Sequence, residues 1–333
     1  VPHVVFASRH FGQPFLVTEF NYNYPNHHRA AGGALFGAYA ALQDWDGLYR
    51  YAYSHQVKRM HEPDAVFYLD NVGDPLNLLA DRMAVLLFRR GDVRPATGML
   101  PFLYDEGALR VESPLDRKTG WLSPDYCRLG YQMRIGLARP DRVPAGIPAV
   151  AKQPSGGHQL ADGSAPLAEL ATPANGRYQS ETGQVRLDTK EHHFAVVTPG
   201  TEILARQEDG EIAGQTLRAA FTGGGVVGVA AMDDKPVAES RRLLVFHLTD
   251  VQNTGVTFRD PEHTVLTAWG GLPHLVRRGA ANLRLDFADA LPGQVYELDL
   301  DGSRRGTWLG EWNGTSLAVT VQTITPDGTR LLY

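Results

Sequence analysis

The stretch PFLVTEFNYNYPNHH (residues 14–28) decides how the rest of the chain is interpreted. Its first half is rich in β-branched and aromatic residues, which is typical of a strand. One carboxylate, Glu19, stands near the end of that strand, and a polar turn with tyrosines and histidines follows. Because the apolar run is nearly continuous rather than alternating, it predicts a parallel strand that is covered on both faces. Such a strand would be a scaffold that presents Glu19 at its carboxyl end.

The segments around this strand predict alternating strands and helices. A weak strand is predicted at VVFA (residues 4–7), a helix over residues 29–44 and a second strand at DGLYRYAYS (residues 46–54). A further helix should begin at Asp74-Pro75, because a capping side chain followed by proline is a helix start signal. It should end at Gly91, which follows two arginines. The order strand, helix, strand, helix predicts two β/α units.

The remaining chain changes character twice. Residues 96–177 are rich in Pro, Gly, Asp and Ser, which predicts a loop-rich connecting segment. From residue 178 to residue 333, short apolar segments recur between turn signals such as Gly223-Gly224-Gly225, and this pattern predicts an antiparallel β-sandwich. The predicted fold class is therefore α/β plus all-β, with boundaries at 1–95, 96–177 and 178–333.

Composition excludes several classes of function. The chain has 333 residues and a net charge of −5 at pH 7, which provides no basic footprint for nucleic acid. It has no apolar run of about 18 residues, so no membrane-spanning segment is expected. Cys127 is the only cysteine, so neither an intrachain disulfide nor a thiolate metal cluster is expected. The adjacent His27 and His28 lack a third ligand at suitable spacing, and we expect no metal and no cofactor. The cellular compartment stays open.

Two motifs carry a resemblance to a known family. The segment LVTEFNYNYPN (residues 16–26), followed by AYAALQDWDGLYRYAYS (residues 38–54), resembles the end of a clan A glycoside hydrolase of the β-galactosidase or cellulase kind. The segment YQSETGQVRLDTKEHHFAVVTPGTEILA (residues 178–205) resembles the β-domain that follows such catalytic domains. The resemblance implies that residues 1–95 form the last two β/α units of a (β/α)8, or TIM, barrel. Since such a barrel needs about 250 residues, its rest would come from an upstream segment or another chain.

The same resemblance implies a catalytic role for Glu19. Clan A enzymes are retaining, and their nucleophile is a glutamate at the end of the seventh strand in a Thr/Ser-Glu-Phe/Tyr setting. Arg29 could keep this carboxylate ionised, because a nearby cation lowers the pKa of a carboxyl group. The candidate substrate-binding residues lie in the turn after Glu19 and at the end of the next strand: Asn21, Tyr22, Tyr24, His27, Arg29, Tyr53 and His55.

Structural roles remain open for the same residues. A glutamate at a strand end is commonly just solvated, and Tyr22 and Tyr24 pack in a loop as often as they bind a sugar. Tryptophans could also line a sugar site in the rest of the chain, although packing is their more common role in a sandwich. These are Trp121, Trp269, Trp308 and Trp312.

The general acid/base of the family has no counterpart here. In clan A it is a glutamate that follows an asparagine, and no Asn-Glu pair precedes Glu19. Retaining hydrolysis needs two carboxyl groups about 5–5.5 Å apart. We therefore expect the C-terminal part of a retaining glycoside hydrolase that acts on β-linked sugars, with the acid supplied from elsewhere. The alternatives are a non-catalytic carbohydrate-binding or structural module that docks onto a partner, and an inert descendant that retains Glu19.

Overall fold

The computed structural model describes residues 2–104, 124–152, 158–171, 176–261, 263–290 and 293–333. Within this part, strands (37 %) outweigh helices (17 %) and most sheets are antiparallel, so the fold is mostly β. The predicted fold class, α/β with the last two units of a TIM barrel, is wrong. Closing a barrel requires a neighbour on both sides of each strand. Among the described residues, β1 (Leu16–Phe20) and β2 (Gly47–Arg50) pair only with each other.

The N-terminal region consists of this parallel pair and its helices. Helix α2 (Arg29–Leu42) connects β1 to β2, and α3 (Pro75–Ala84) follows and continues as a π-helical turn, Val85–Arg89. A short helix, α1 (His3–Phe6), stands where the weak strand was predicted, so that prediction is wrong. Phe6 is the buried residue of this segment, and its ring contacts those of Tyr39 and Tyr131.

Small residues allow α2 and α3 to approach closely. A Cβ atom added to Gly33 would lie 1.9 Å from the carbonyl oxygen of Ala80, and one added to Gly37 would lie 2.7 Å from Cα of Ala84. Helix α3 begins where the sequence predicts, because the Asp74 carboxylate accepts hydrogen bonds from the amides that follow it.

Strand β1 is covered on one face only. Val17 and Phe20 are buried, whereas Leu16, Thr18 and Glu19 are exposed. The expectation that both faces are covered is therefore wrong. The register against β2 shifts between Val17 and Phe20, and such a bulge turns consecutive side chains toward the same side.

Residues 96–177 contain more strand than the sequence predicts. A four-stranded sheet with the order β4-β3-β5-β6 is built from β3 (Met99–Leu103), β4 (Arg134–Ala138), β5 (Val150–Lys152) and β6 (His158–Leu160). Two short helices flank it, α4 (Pro124–Leu129) and α5 (Leu167–Ala171). The strand signals are weak because these strands are short and β3 contains Pro101.

Two antiparallel sheets dominate the C-terminal region. The larger has the order β14-β13-β10-β9-β8-β7. Its strands in chain order are β7 (Arg177–Gln179), β8 (Val185–Asp188), β9 (His193–Val197), β10 (Thr201–Arg206), β13 (Gly225–Ala231) and β14 (Leu243–Leu248). The second has the order β11-β12-β19-β23-β22. Its strands are β11 (Gly210–Ala213), β12 (Leu217–Thr222), β19 (Ala280–Asp286), β22 (Glu311–Asn313) and β23 (Ser316–Gln322).

Short two-stranded pairs and single turns complete the described structure. The pairs are β15 (Val251–Thr254) with β18 (Gly271–Val276), β16 (Thr257–Phe258) with β17 (Leu266–Ala268), β20 (Val295–Leu298) with β21 (Arg304–Leu309), and β24 (Ile324–Thr325) with β25 (Gly328–Thr329). The 3-10 turns are Val57–Met60 and Pro140–Arg142. Among the helices described, none has the length and apolar character that crossing a bilayer would require.

The six-stranded sheet lies between two hydrophobic cores. In β10, Ile203 and Ala205 belong to the core shared with the N-terminal helices, whereas Leu204 belongs to the core shared with the five-stranded sheet. Every residue of β13 is buried, while β19 and β23 alternate between buried and less buried positions. A sheet that is covered on both faces has continuous apolar strands. The N-terminal helices therefore rest on one face of the C-terminal region.

Candidate functional site

Glu19 lies at the carboxyl end of β1 with its side chain exposed. No residue in the described ranges forms a hydrogen bond or an ion pair with its carboxylate. The carbonyl oxygen of the next residue, Phe20, accepts a hydrogen bond of 3.0 Å from the amide of Tyr51. Neighbouring strands lie about 4.8 Å apart. The backbone at this end of β1 is thus one strand spacing from the segment that leaves β2.

The residues that follow β2 form a hydrogen-bonded chain of side chains. The carboxylate of Asp70, which is buried, contacts Nδ1 of His55 and accepts a hydrogen bond of 3.1 Å from the amide of the same residue. The Nε2 atom of His55 lies 3.3 Å from the hydroxyl of Tyr51. The contact of Nδ1 with Asp70 leaves Nε2 facing the Tyr51 hydroxyl. Asp70 therefore fixes the orientation of the His55 ring, which in turn contacts Tyr51.

Sequence reasoning missed Asp70 as a member of this group. Its position before Asp74 suggested only the preparation of a helix start. Its partner lies on a different segment, and Arg59 approaches from another side at 3.4 Å. No spacing in the sequence relates Asp70 to these partners.

Asn21 ties the end of β1 to this group. Its amide nitrogen donates to the carbonyl oxygens of Tyr51 at 2.6 Å and Leu69 at 2.9 Å. The segment after β2 is also held by hydrogen bonds from Ala52 to Leu69 and from Asn71 to Ala52. Asn21 is therefore placed to position Tyr51.

Exposed aromatic side chains extend from this group across the surface. Tyr53 is 57 % exposed, and Phe67, Tyr68 and Trp269 are each more than one third exposed. The Phe67 and Trp269 rings stack with centroids 4.9 Å apart. We call Tyr51, Tyr53, Phe67, Tyr68 and Trp269 the aromatic surface. Rings of this kind offer an apolar body and a polar edge to a ligand.

The other tryptophans have different surroundings. Trp312 stacks on Phe287 at 5.4 Å, and its Nε1–H donates to the carbonyl oxygen of Gly293 at 2.9 Å. Trp121 lies outside the described residues, as does the side chain of Trp308. Of the tryptophans considered from the sequence, Trp269 is the one on the aromatic surface.

Tyr22, Tyr24 and Arg29 lie inside the protein. The Tyr22 ring fills the space next to Gly32, and burial raises the pKa of its hydroxyl. The Tyr24 hydroxyl accepts a hydrogen bond of 3.2 Å from the amide of Asn253. These contacts account for both tyrosines without a bound sugar.

Arg29 has carboxylate partners other than Glu19. Its guanidinium contacts Asp74, lies 3.4 Å from Asp250 and donates to the carbonyl oxygen of Val251. With a side-chain exposure of 0 %, this guanidinium joins α2, the cap of α3 and the C-terminal region. Its charge is compensated there, and it does not serve as the counter-ion of Glu19.

His27 belongs to a separate cavity of about 820 Å³, which we call the histidine cleft. The cleft lies between the start of α2 and the six-stranded sheet, and Glu19, Tyr53 and His55 do not line it. The residues that define it are His27, His28, His192, His193, Arg206, His263 and Arg277. The structure thus divides the predicted binding residues among the aromatic surface, the protein interior and this cleft.

Neither the cleft nor the aromatic surface has the geometry of a metal centre. In the part of the chain that the structure describes, no three His, Cys, Asp or Glu side chains are placed to hold an ion together.

Comparisons with known proteins return no relative: no family model, no curated protein and no solved structure matches this chain.

Proposed function

We propose that this chain is part of a retaining glycoside hydrolase that acts on β-linked sugars, with Glu19 as the nucleophile. One observation carries the proposal: an exposed carboxylate without a partner in the described residues stands at the end of a strand, and the backbone at that strand end is hydrogen-bonded to Tyr51, the first member of the Tyr51–His55–Asp70 chain. A nucleophilic carboxylate needs a free oxygen that can reach the anomeric carbon. Arg29, by contrast, is already neutralised by internal carboxylates.

The reaction follows from the two-carboxyl mechanism. A Glu19 oxygen attacks the anomeric carbon while the bond to the leaving oxygen breaks and an acid protonates that oxygen. Water, deprotonated by the same acid/base residue, then displaces Glu19 and releases the sugar. Exposed rings such as Tyr51 and Tyr53 would contact the sugar faces.

We expect the second carboxyl group to be supplied from outside this chain. It has to stand about 5–5.5 Å from the nucleophile. Asp70 does not fit this role, because it is buried and engaged by His55 and Arg59. An upstream segment or another chain would supply the acid and further walls of the site.

A second function is favoured by one specific observation. The stacked Phe67 and Trp269, with Tyr68 beside them, present exposed rings that can bind a sugar without any carboxylate. The alternative is therefore a non-catalytic carbohydrate-binding module that docks onto a partner.

Substitution of Glu19 separates the two functions. In the complete polypeptide that contains this chain, Glu19→Gln should lower turnover of aryl β-glycosides by roughly 10³-fold or more. The free energy of unfolding should change by less than about 0.5 kcal/mol, because the side chain is exposed. Glu19→Ala should regain turnover when azide is added, since azide can replace the missing nucleophile.

A matched control keeps this test specific. Glu239→Gln removes another exposed carboxylate and should leave turnover unchanged. Full turnover by Glu19→Gln would rule out the nucleophile. If Trp269→Ala then abolished sugar binding, the binding module would be supported instead.

A further inference from the structure

The histidine cleft collects imidazole and guanidinium side chains from several elements. His27 and His28 come from the start of α2, while Arg206 comes from β10. The ring centroids of His27 and His263 lie 4.2 Å apart, and Phe258 stacks on His263 with centroids 3.8 Å apart. The Nδ1 atom of His28 lies 3.0 Å from Nε2 of Gln207. These contacts hold the imidazoles around one cavity.

The cations of the cleft are not neutralised internally. Arg206 donates to the carbonyl oxygens of Glu211 and Asp209, at 3.2 and 3.1 Å, and contacts Nε2 of His193. Arg277 donates to the carbonyl oxygen of Gly223. Among the described residues, no carboxylate forms an ion pair with either guanidinium or with the cleft histidines. A carbonyl oxygen accepts a hydrogen bond but does not cancel a charge.

The carboxylates near the cleft are mostly used elsewhere. Asp188 pairs with Arg177 at 2.7 Å and accepts hydrogen bonds from the turn that follows it. Asp250 pairs with Arg29 and accepts from Gln252 at 3.0 Å. The remaining acids that face the histidines are Glu191 and Asp260.

The neighbouring charges also act on the histidines. Partial burial lowers the pKa of His28, and the nearby His27 and His192 lower it further. Burial and Arg206 lower the pKa of His193 in the same way. An anion placed among these side chains would offset the positive charge of the arginines and favour protonation of the histidines.

The helix start adds to the same polarity. His28 caps α2 without a side-chain hydrogen bond, and the first turn of this 14-residue helix contains no acidic residue. Ala30 and Ala31 line the cleft next to it. The amino end of a helix favours negative charge.

We propose that the histidine cleft binds an oxyanion carried by a saccharide, either the carboxylate or the sulfate group of an acidic sugar. The volume of about 820 Å³ is far larger than an inorganic ion needs and falls in the range of small-molecule sites. The anion follows from the charges of the cleft, whereas the choice of a saccharide as carrier rests on the proposed function. The cleft would thus bind an acidic sugar residue of the substrate at a distance from the glycosidic bond that is hydrolysed.

Calorimetric titration of the chain at low ionic strength tests this site. The probes are glucuronate, galactose 6-sulfate, inorganic sulfate and neutral glucose. Both acidic sugars should bind, glucose should not, and inorganic sulfate should bind more weakly. Binding of the acidic sugars should tighten by roughly tenfold from pH 8 to pH 6, because the bound anion raises the lowered pKa values of His28, His193 and His263 and these side chains take up protons with it.

Variants show whether the cleft itself is responsible. Arg277→Gln and His28→Gln should each weaken binding by about tenfold, the value expected for one charge-assisted hydrogen bond. Arg241→Gln, which removes an exposed charge away from the cleft, should change binding by less than about twofold. Glu19→Gln should leave binding intact, so failure of the catalytic proposal is distinguishable from failure of this one.

Three results would overturn the proposal. Equal binding of glucose and glucuronate would show that the anionic group is not recognised. An equal loss of binding in Arg241→Gln would show that the effect does not depend on the cleft. If inorganic sulfate bound as tightly as galactose 6-sulfate, the sugar would contribute nothing to recognition.

Discussion

Glu19 and Arg29 lie at the two ends of the segment that joins β1 to α2, and the structure treats their charges in opposite ways. Arg29 is fully buried and has two carboxylates within ion-pair distance. Glu19 is exposed and has no partner among the residues described. The comparison separates a charge that supports the architecture from a charge that is free for chemistry.

The buried end of the segment fastens two regions of the molecule together. Arg29 belongs to α2, Asp74 caps α3, and Asp250 precedes β15 in the C-terminal region. Asn253 adds to the same junction, because its side chain bonds with the amide and the carbonyl group of Val66. Removing a charge here should therefore cost stability, whereas removing Glu19 should not.

The largest effect is expected from Arg29→Met. It leaves Asp74 and Asp250 buried without their cation, which should lower the free energy of unfolding by about 3–5 kcal/mol. Urea denaturation followed by circular dichroism measures this loss. Arg241→Met is the control and should change it by less than about 0.5 kcal/mol, since this arginine is exposed. A similar stability for both variants would show that the buried network does not hold the regions together.

A somewhat smaller effect concerns His247, which is buried in β14 with neither ring nitrogen hydrogen-bonded in the described structure. Burial, with a contribution from Arg277, lowers its pKa to about 4. An unfolded histidine titrates near pH 6.5, so the unfolded state binds the extra proton between these values. Stability should fall as the pH decreases from about 6.5 to about 4, by up to roughly 3 kcal/mol.

The comparison of variants isolates this histidine from the others. His247→Phe should remove the largest single contribution of a histidine to the pH dependence in that window, whereas His61→Phe, at an exposed position, should retain it. Urea midpoints measured from pH 4 to pH 7 give both slopes. A slope that is unchanged in His247→Phe would contradict the assignment.

The smallest of the three stability effects is expected at the contact between α2 and α3. In Gly33→Ala the new Cβ atom would collide with the backbone of Ala80, so the helices must separate at a cost of about 1–3 kcal/mol. Gly271→Ala is the control, because a Cβ atom there meets nothing within 4 Å. Thermal unfolding should give a lower midpoint temperature for Gly33→Ala than for Gly271→Ala. Equal midpoints would mean that the helices are less closely packed than the structure shows.

The local signals in the sequence were informative where a few neighbouring residues decide the outcome. The start of α2 at Arg29 and the cap of α3 at Asp74 were predicted because capping and apolar spacing act within a turn or two. The helix at Phe6 was missed, since a short apolar segment fits a strand or a helix and tertiary contacts decide.

Features that depend on distant partners could not be predicted. The resemblance implied a TIM barrel, yet β1 and β2 have only each other as neighbours in the described residues. Partners from separate segments define Asp70 and Arg29 as well, and no spacing in the sequence indicates such pairs. The histidine cleft combines residues from separate segments of the chain, and nothing in the sequence indicates that the pairs His27-His28 and His192-His193 share a cavity.

Covalent trapping tests the role of Glu19 most directly. The complete polypeptide that contains this chain is incubated with a 2-deoxy-2-fluoro β-glycoside that carries a good leaving group, and the peptides are then analysed by mass spectrometry. We expect a stable glycosyl ester on Glu19, because the fluorine slows both steps through their oxocarbenium-like transition states, whereas the good leaving group keeps formation of the ester faster than its hydrolysis. An ester on any other carboxylate, or turnover of the substrate in a protein whose Glu19 is never labelled, would contradict it.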